Sequence, residues 1–97
     1  MGHFKININL SKLNGAFIRT IQGQHTSKRC VCIPIDENNV FEGQKGNYLS
    51  LVAIKQENPC YGKSHLLKLS YPKEQYEAMS WVEKSALAIV GSMKEIV

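Results

Sequence analysis

Residues 4–10 alternate apolar and polar side chains with a period of two, which is typical of β-strands that bury one face. The apolar members of the first run are Phe4, Ile6, Ile8 and Leu10. This run predicts the first strand. The Asn14-Gly15 pair that follows suits a turn with positive φ, so we expect a second strand over 16–21 that pairs with the first and has its odd-numbered residues on one face.

Three further strands are predicted from alternation and from runs of β-branched residues. They cover residues 30–35, 47–55 and 64–70. In the last strand Leu67 and Leu69 fall on one face and Lys68 on the other. Residues 23–29 are polar and predict an exposed loop. Five strands in seventy residues are the number found in a small barrel, so the expected fold class is mainly β, an OB-fold-like barrel of about five strands, with a C-terminal α-helix.

The C-terminal segment carries helix start signals. Proline is tolerated in the first turn of a helix, which places a start near Pro72, and Ser80 to Glu83 matches a capping box. Gly91 is expected to end or bend the helix. The prediction is one domain over 1–97, with a barrel body at 4–70 and a helical segment at 71–97. The residues expected to pack in the core or to fix the helix on the barrel are Phe4, Phe17, Phe41, Tyr76, Trp81 and Leu87.

The composition favours an ordinary soluble domain over a membrane-spanning protein. The 97 residues are 43% hydrophobic and 21% charged, values close to those of ordinary soluble domains. The longest apolar run, 86–90, is far below the roughly 20 residues that a membrane-spanning helix needs, and the amino terminus lacks a secretory pattern. A soluble, cytoplasmic protein without membrane contact is expected, with reduced cysteines.

The sequence gives only weak indications of a metal-binding or catalytic site. Two histidines and the three cysteines offer zinc ligands, namely His25, Cys30, Cys32, Cys60 and His65, but the spacing lacks the paired Cys-x-x-Cys of structural zinc sites. Phosphate-loop, zinc-protease and dinucleotide motifs are absent from the sequence. We therefore expect a protein that is not an enzyme and needs no cofactor.

The positive charge lies in the strand-rich part. Residues 1–70 hold nine Lys or Arg against four acids, whereas residues 71–97 hold three against four. Cations that follow phosphates and tyrosines that stack on bases are the features of single-stranded nucleic-acid surfaces. The candidate nucleic-acid-binding residues are Arg19, Lys28, Arg29, Lys45, Tyr48, Lys55, Tyr61, Lys63 and Lys68.

Several short motifs within residues 5–75 resemble one family. They are a Gly-x-Tyr-Leu strand from Gly46 to Leu49, a Tyr-Gly-Lys loop at 61–63, a His-Leu-Leu-Lys strand at 65–68 and a Pro-Lys-Glu at 72–74. These resemble small proteins of bacteriophages and mobile elements of gut Bacteroidetes that are taken to be OB-fold single-stranded-DNA-binding proteins. The resemblance implies non-catalytic binding of single-stranded DNA, with little sequence preference, in phage or mobile-element replication or recombination.

The C-terminal segment departs from that family. Many such binders end in a long acidic tail, whereas this chain ends in the apolar, mixed-charge sequence SALAIVGSMKEIV. That terminus is expected to pack on the barrel or on a second subunit. The alternative function is therefore an accessory protein-interaction module, a homo-oligomer whose contact face comprises Trp81, Leu87, Ile89, Val90 and Ile96.

Overall fold

The computed structural model describes residues 2–96, with the side chains at positions 59 and 60 excepted. Eight strands and two short helices form. In chain order the strands are β1 (Phe4–Ile8), β2 (Phe17–Gln22), β3 (Ser27–Cys32), β4 (Phe41–Gly43), β5 (Gly46–Tyr48), β6 (Leu51–Cys60), β7 (Lys63–Leu69) and β8 (Ile89–Glu95). The helices α1 (Lys73–Ala78) and α2 (Trp81–Ser85) lie between β7 and β8. The mainly β class is confirmed.

The strands form three separate sheets. One is a four-stranded antiparallel sheet in the order β1-β8-β7-β6, and the others are the hairpins β2–β3 and β4–β5. The predicted closed barrel is therefore wrong for residues 2–96. The expected pairing of the first two strands is also wrong, because β1 pairs with β8 and β2 pairs with β3. Alternation shows which residues form strands, but it does not specify their partners.

The β2–β3 hairpin replaces the polar loop expected at 23–29. The backbone N–H of Gly23 donates to the carbonyl of Thr26 at 2.7 Å, which closes a tight turn. Ser27 then begins β3, so Lys28 and Arg29 are strand residues. Residues 23–29 are polar because both faces of the hairpin tip are exposed, and this explains why the composition resembled that of a loop.

The C-terminal helical segment is shorter than predicted. A helix does begin after Pro72, and the capping box is confirmed, with the Glu83 N–H donating to the Ser80 hydroxyl. The two helices nevertheless have only six and five residues. Gly91 lies within β8 rather than at a helix end. A side chain at position 91 would collide with the backbone of Asn7 in β1, so glycine permits these two strands to approach.

The core is small and lies at one end of the four-stranded sheet. Its buried members are Leu13, Leu67, Leu69 and Val90. Beside it, the buried side chain of Asn38 joins two loops. Its Oδ1 accepts from the Asn14 N–H at 2.8 Å, and its Nδ2 donates to the carbonyls of Asn14 and Pro34 at 2.9 and 2.8 Å. These bonds satisfy a buried amide and fix the base of the β2–β3 hairpin.

The aromatic residues assigned to the core by sequence are exposed. Phe4, Phe17 and Phe41 are 42%, 51% and 67% exposed, and Trp81, at the start of α2, is 80% exposed. Tyr76 is also exposed, whereas Leu87 is half-buried. These predictions failed because they assumed that a closed barrel would surround the rings. No helix within residues 2–96 has the length and apolar character needed to cross a bilayer.

Candidate nucleic-acid interface

The four-stranded sheet has two faces with different chemistry. Cross-strand register and the alternation of side chains assign each residue to one of them. The face that includes Leu67 and Leu69 is the core face. The opposite face, which we call the lysine face, comprises Lys5, Asn7, Val52, Ile54, Lys63, Leu66, Lys68, Ile89, Ser92 and Lys94. The lysine face is open over most of its area and is bordered by α1 and α2 at one end.

Three lysines form a row across three strands at the other end of this face. Lys94 of β8 lies opposite Lys5 of β1 and also opposite Lys63 of β7. Like charges at directly opposed positions destabilise a sheet. An anion that neutralised the row would relieve this repulsion.

A groove occupies the end of the lysine face beside the helices. Its volume is about 390 Å³. The residues that line it are Val52, Ile54, Lys68, Leu69, Ser70, Tyr71, Lys73, Tyr76, Lys84 and Leu87. Three of these are lysines, two are tyrosines, and none of the described lining residues is acidic. The Nζ atom of Lys84 lies 4.7 Å from the centre of the Tyr76 ring, a cation–π contact that holds this charge at the mouth of the groove.

An apolar strip, formed by Val52, Ile54, Leu66 and Ile89, lies between the groove and the lysine row. Ile54 lies opposite Leu66, and Lys68 lies between Val52 and Ile89 in the register. A second, shallower depression lies on the same face and is lined by Leu66, Ile89 and Lys63 together with neighbouring polar residues. From Lys63 to Lys68 the strand spans about 16 Å. The face thus presents apolar side chains between two groups of cations.

Tyr61 stands at the turn beside the lysine row. It has positive φ, 56°, and is 89% exposed. The following residue, Gly62, lies close to the Lys94 side chain. Positive φ is uncommon for a residue with a side chain, and Tyr61 adopts it in the turn two residues before Lys63.

The structure brings only part of the predicted site together. Lys63, Lys68 and Tyr61 lie on or beside the lysine face. The other six candidates lie elsewhere. Arg19 and Lys28 share one face of the β2–β3 hairpin, and Arg29 lies on its other face. Lys45 and Tyr48 belong to the β4–β5 hairpin. Lys55 lies opposite His65 on the core face.

The interface residues that were not selected from the sequence include four lysines and a tyrosine, namely Lys5, Lys73, Lys84, Lys94 and Tyr76. Lys5 was visible as a polar member of the first strand. Lys94 was assigned to a helix, which hid its register with Lys5 and Lys63. Lys73, Tyr76 and Lys84 lie on short helices whose position over β6 and β7 depends on tertiary packing.

The other predicted sites are distributed as follows. Cys30 and Cys32 are free thiols, and the side chain of Cys60 lies outside the described residues. Among the residues described, no three His, Cys, Asp or Glu side chains are grouped to hold a metal ion. The proposed C-terminal contact face is not one surface: Val90 is 2% exposed and belongs to the core, Leu87 lines the groove, and Ile89 lies on the lysine face.

Comparisons of the chain with protein-family models, with curated proteins and with solved structures gave no match. The family resemblance described above therefore stays an expectation.

Proposed function

We propose that this protein binds single-stranded DNA without catalysis and with little sequence preference, and that the strand lies along the lysine face. The observation that supports this most is the combination, on one side of one sheet, of a lysine row, an apolar strip and a groove with three lysines. In this proposal Lys5, Lys63 and Lys94 contact phosphates at one end, and Lys68, Lys73 and Lys84 contact them at the other.

In this proposal the unpaired bases pack on the apolar strip. Val52, Ile54 and Ile89 are exposed, and unpaired bases have apolar faces that pack on such side chains. Tyr61 and Tyr76 stand at the two ends, where rings can stack on bases of any sequence. A duplex keeps its bases inside, so this arrangement of apolar centre and cationic ends favours an unpaired strand.

The resemblance to phage and mobile-element proteins supports the same class of function and extends it to replication or recombination of such elements. The binding surface differs from the one that the resemblance implies, because an open four-stranded sheet with two flanking helices takes the place of a barrel groove.

Fluorescence anisotropy with labelled oligo(dT) tests the proposal. We expect binding at low salt and a linear fall of log K with log salt concentration. Six phosphate contacts give a slope of about −4 for a single strand. Double-stranded DNA of the same length is the matched control and is expected to bind more weakly. Absence of oligo(dT) binding at low salt, or binding that does not respond to salt, would contradict the proposal.

A further inference from the structure

The chain exposes more surface than a compact monomer of its size. Its accessible surface is 7955 Å², whereas a compact monomer of 10.9 kDa exposes about 5,600 Å². The radius of gyration is 16.2 Å, against about 12.5 Å for a compact domain of this length. About 2,400 Å² of surface per chain is thus left without a covering element.

The β2–β3 hairpin contributes much of this surface. All six residues of β2 are exposed, and a two-stranded hairpin is marginally stable in water. The two faces of the hairpin differ. The first, which we call the cysteine face, comprises Phe17, Arg19, Ile21, Lys28, Cys30 and Cys32. Four of these six are apolar, because free cysteine behaves as a small hydrophobic residue. The opposite face has only Ile18 and Val31 as apolar members.

A second uncovered surface lies on the core face of the large sheet. Leu67 and Leu69 fill one end of that face, but the end formed by β1 is bare, with Phe4, Ile6 and Ile8 each 40% exposed or more. Glu95 lies opposite Phe4 on the same face. This carboxylate complements Arg19 and Lys28 of the cysteine face. The bare end and the cysteine face are thus both apolar, and the bare end carries one carboxylate whereas the cysteine face carries two cations.

We propose that the cysteine face of the hairpin in one copy of this chain covers the bare end of the core face in a second copy. The exchange is reciprocal around a two-fold axis, so each copy contributes one hairpin and one sheet. The excess of about 2,400 Å² per chain is larger than the roughly 800 Å² that a standard specific interface takes from each partner. The lysine face is on the other side of the sheet and stays open in this dimer.

Light scattering and aspartate variants test the dimer. We expect a solution mass of twice 10.9 kDa for the unmodified chain. Ile21→Asp, on the cysteine face, and Ile6→Asp, on the bare end, should each give the mass of one chain. Both side chains are exposed in the single chain, so neither change disturbs its own core. Ile18→Asp is the matched control: it makes the same substitution on the opposite face of the hairpin and should remain dimeric.

Cross-linking gives a second test that does not depend on variants that dissociate. Ile6→Cys places a thiol on the bare end, and a bismaleimide can join it to Cys30 or Cys32. In a mixture of ¹⁴N- and ¹⁵N-labelled chains, we expect cross-linked peptides that combine both isotopes.

Three results would overturn the proposal. One is a single-chain mass for the unmodified protein. Another is dissociation of Ile18→Asp while Ile21→Asp stays dimeric. The third is cross-links at position 6 that join only peptides of the same isotope, which would mean that the hairpin folds onto its own sheet. None of these results bears on oligo(dT) binding, so the dimer proposal and the DNA-binding proposal can fail separately.

Discussion

The two faces of the four-stranded sheet differ in burial and charge, although the same strands form both. On β7, Leu67 and Leu69 face the core and are 4% and 7% exposed, while Leu66 and Lys68 face the other side and are half-buried. The core face packs against Leu13, whereas the lysine face carries lysines that are exposed or half-buried. Alternate positions of one strand thus supply the core on one side of the sheet and present charge on the other.

The largest expected effect is on the core face. Leu67→Ala removes a buried side chain from a core with few members, and we expect the free energy of unfolding to fall by about 3 kcal/mol. Leu66→Ala, one residue earlier on the other face, is the matched control and should cost about 1 kcal/mol or less. Urea unfolding followed by circular dichroism measures both. Equal losses for the two variants would mean that the faces do not differ as described.

The next effect is on the lysine face. The triple variant Lys68→Ala, Lys73→Ala, Lys84→Ala removes three proposed phosphate contacts from the groove. We expect the salt slope of oligo(dT) binding to become shallower by about 2 and the affinity at 0.1 M salt to fall about 100-fold. Its unfolding free energy should change little, because these lysines take no part in the core.

A second triple variant is the matched control. Arg29→Ala, Lys45→Ala and Lys55→Ala remove the same net charge from residues that lie off the lysine face. This variant should keep the salt slope of the unmodified protein. If both triple variants weaken binding equally, the position of the charge does not matter and the interface is not the lysine face.

A smaller effect is expected at the turn beside the lysine row. Tyr61→Ala removes the exposed ring proposed to stack on a base, and we expect oligo(dT) affinity to fall about tenfold. Tyr48→Ala is the control, since Tyr48 is an exposed tyrosine on the β4–β5 hairpin whose ring faces Phe41. Fluorescence anisotropy measures both variants. A larger loss at Tyr48 would move the stacking position away from the lysine face.

The smallest effect concerns the helix that carries Lys84. Ser80→Ala removes the N-cap hydroxyl that accepts from the Glu83 N–H at 3.1 Å, a change that costs about 1 kcal/mol of helix stability. Because Lys84 is one of six proposed phosphate contacts, the oligo(dT) affinity at 0.1 M salt should fall by no more than about fivefold. Ser80→Asp, which retains a cap, should restore the affinity.

The sequence was sufficient to predict local features but not to predict which strands pair with each other. Alternation correctly placed Leu67 and Leu69 opposite Lys68, and the start signals at Pro72 and Ser80 were correct, because both depend on neighbouring residues. The pairing of β1 with β8 joins residues about ninety positions apart, and no local pattern encodes it. For that reason the row of Lys5, Lys63 and Lys94 could not be seen before the sheet order was known.

The exposed aromatic residues illustrate the same limit. Phe4 and Phe17 are apolar members of well-formed strands, and apolar strand residues usually face a core. In the single chain they are 42% and 51% exposed. The homodimer proposed above covers both rings, so the sequence pattern and the exposure in one chain agree if a second copy completes the fold.

The most direct test of the central claim observes each lysine during DNA binding. Reductive ¹³C-methylation retains the positive charge and gives an NMR signal for every lysine side chain. On addition of oligo(dT), we expect the signals of Lys5, Lys63, Lys68, Lys73, Lys84 and Lys94 to shift, while those of Lys45 and Lys55 stay in place. Shifts confined to Lys45 and Lys55, or no shift at any lysine, would contradict the lysine face as the DNA-binding surface.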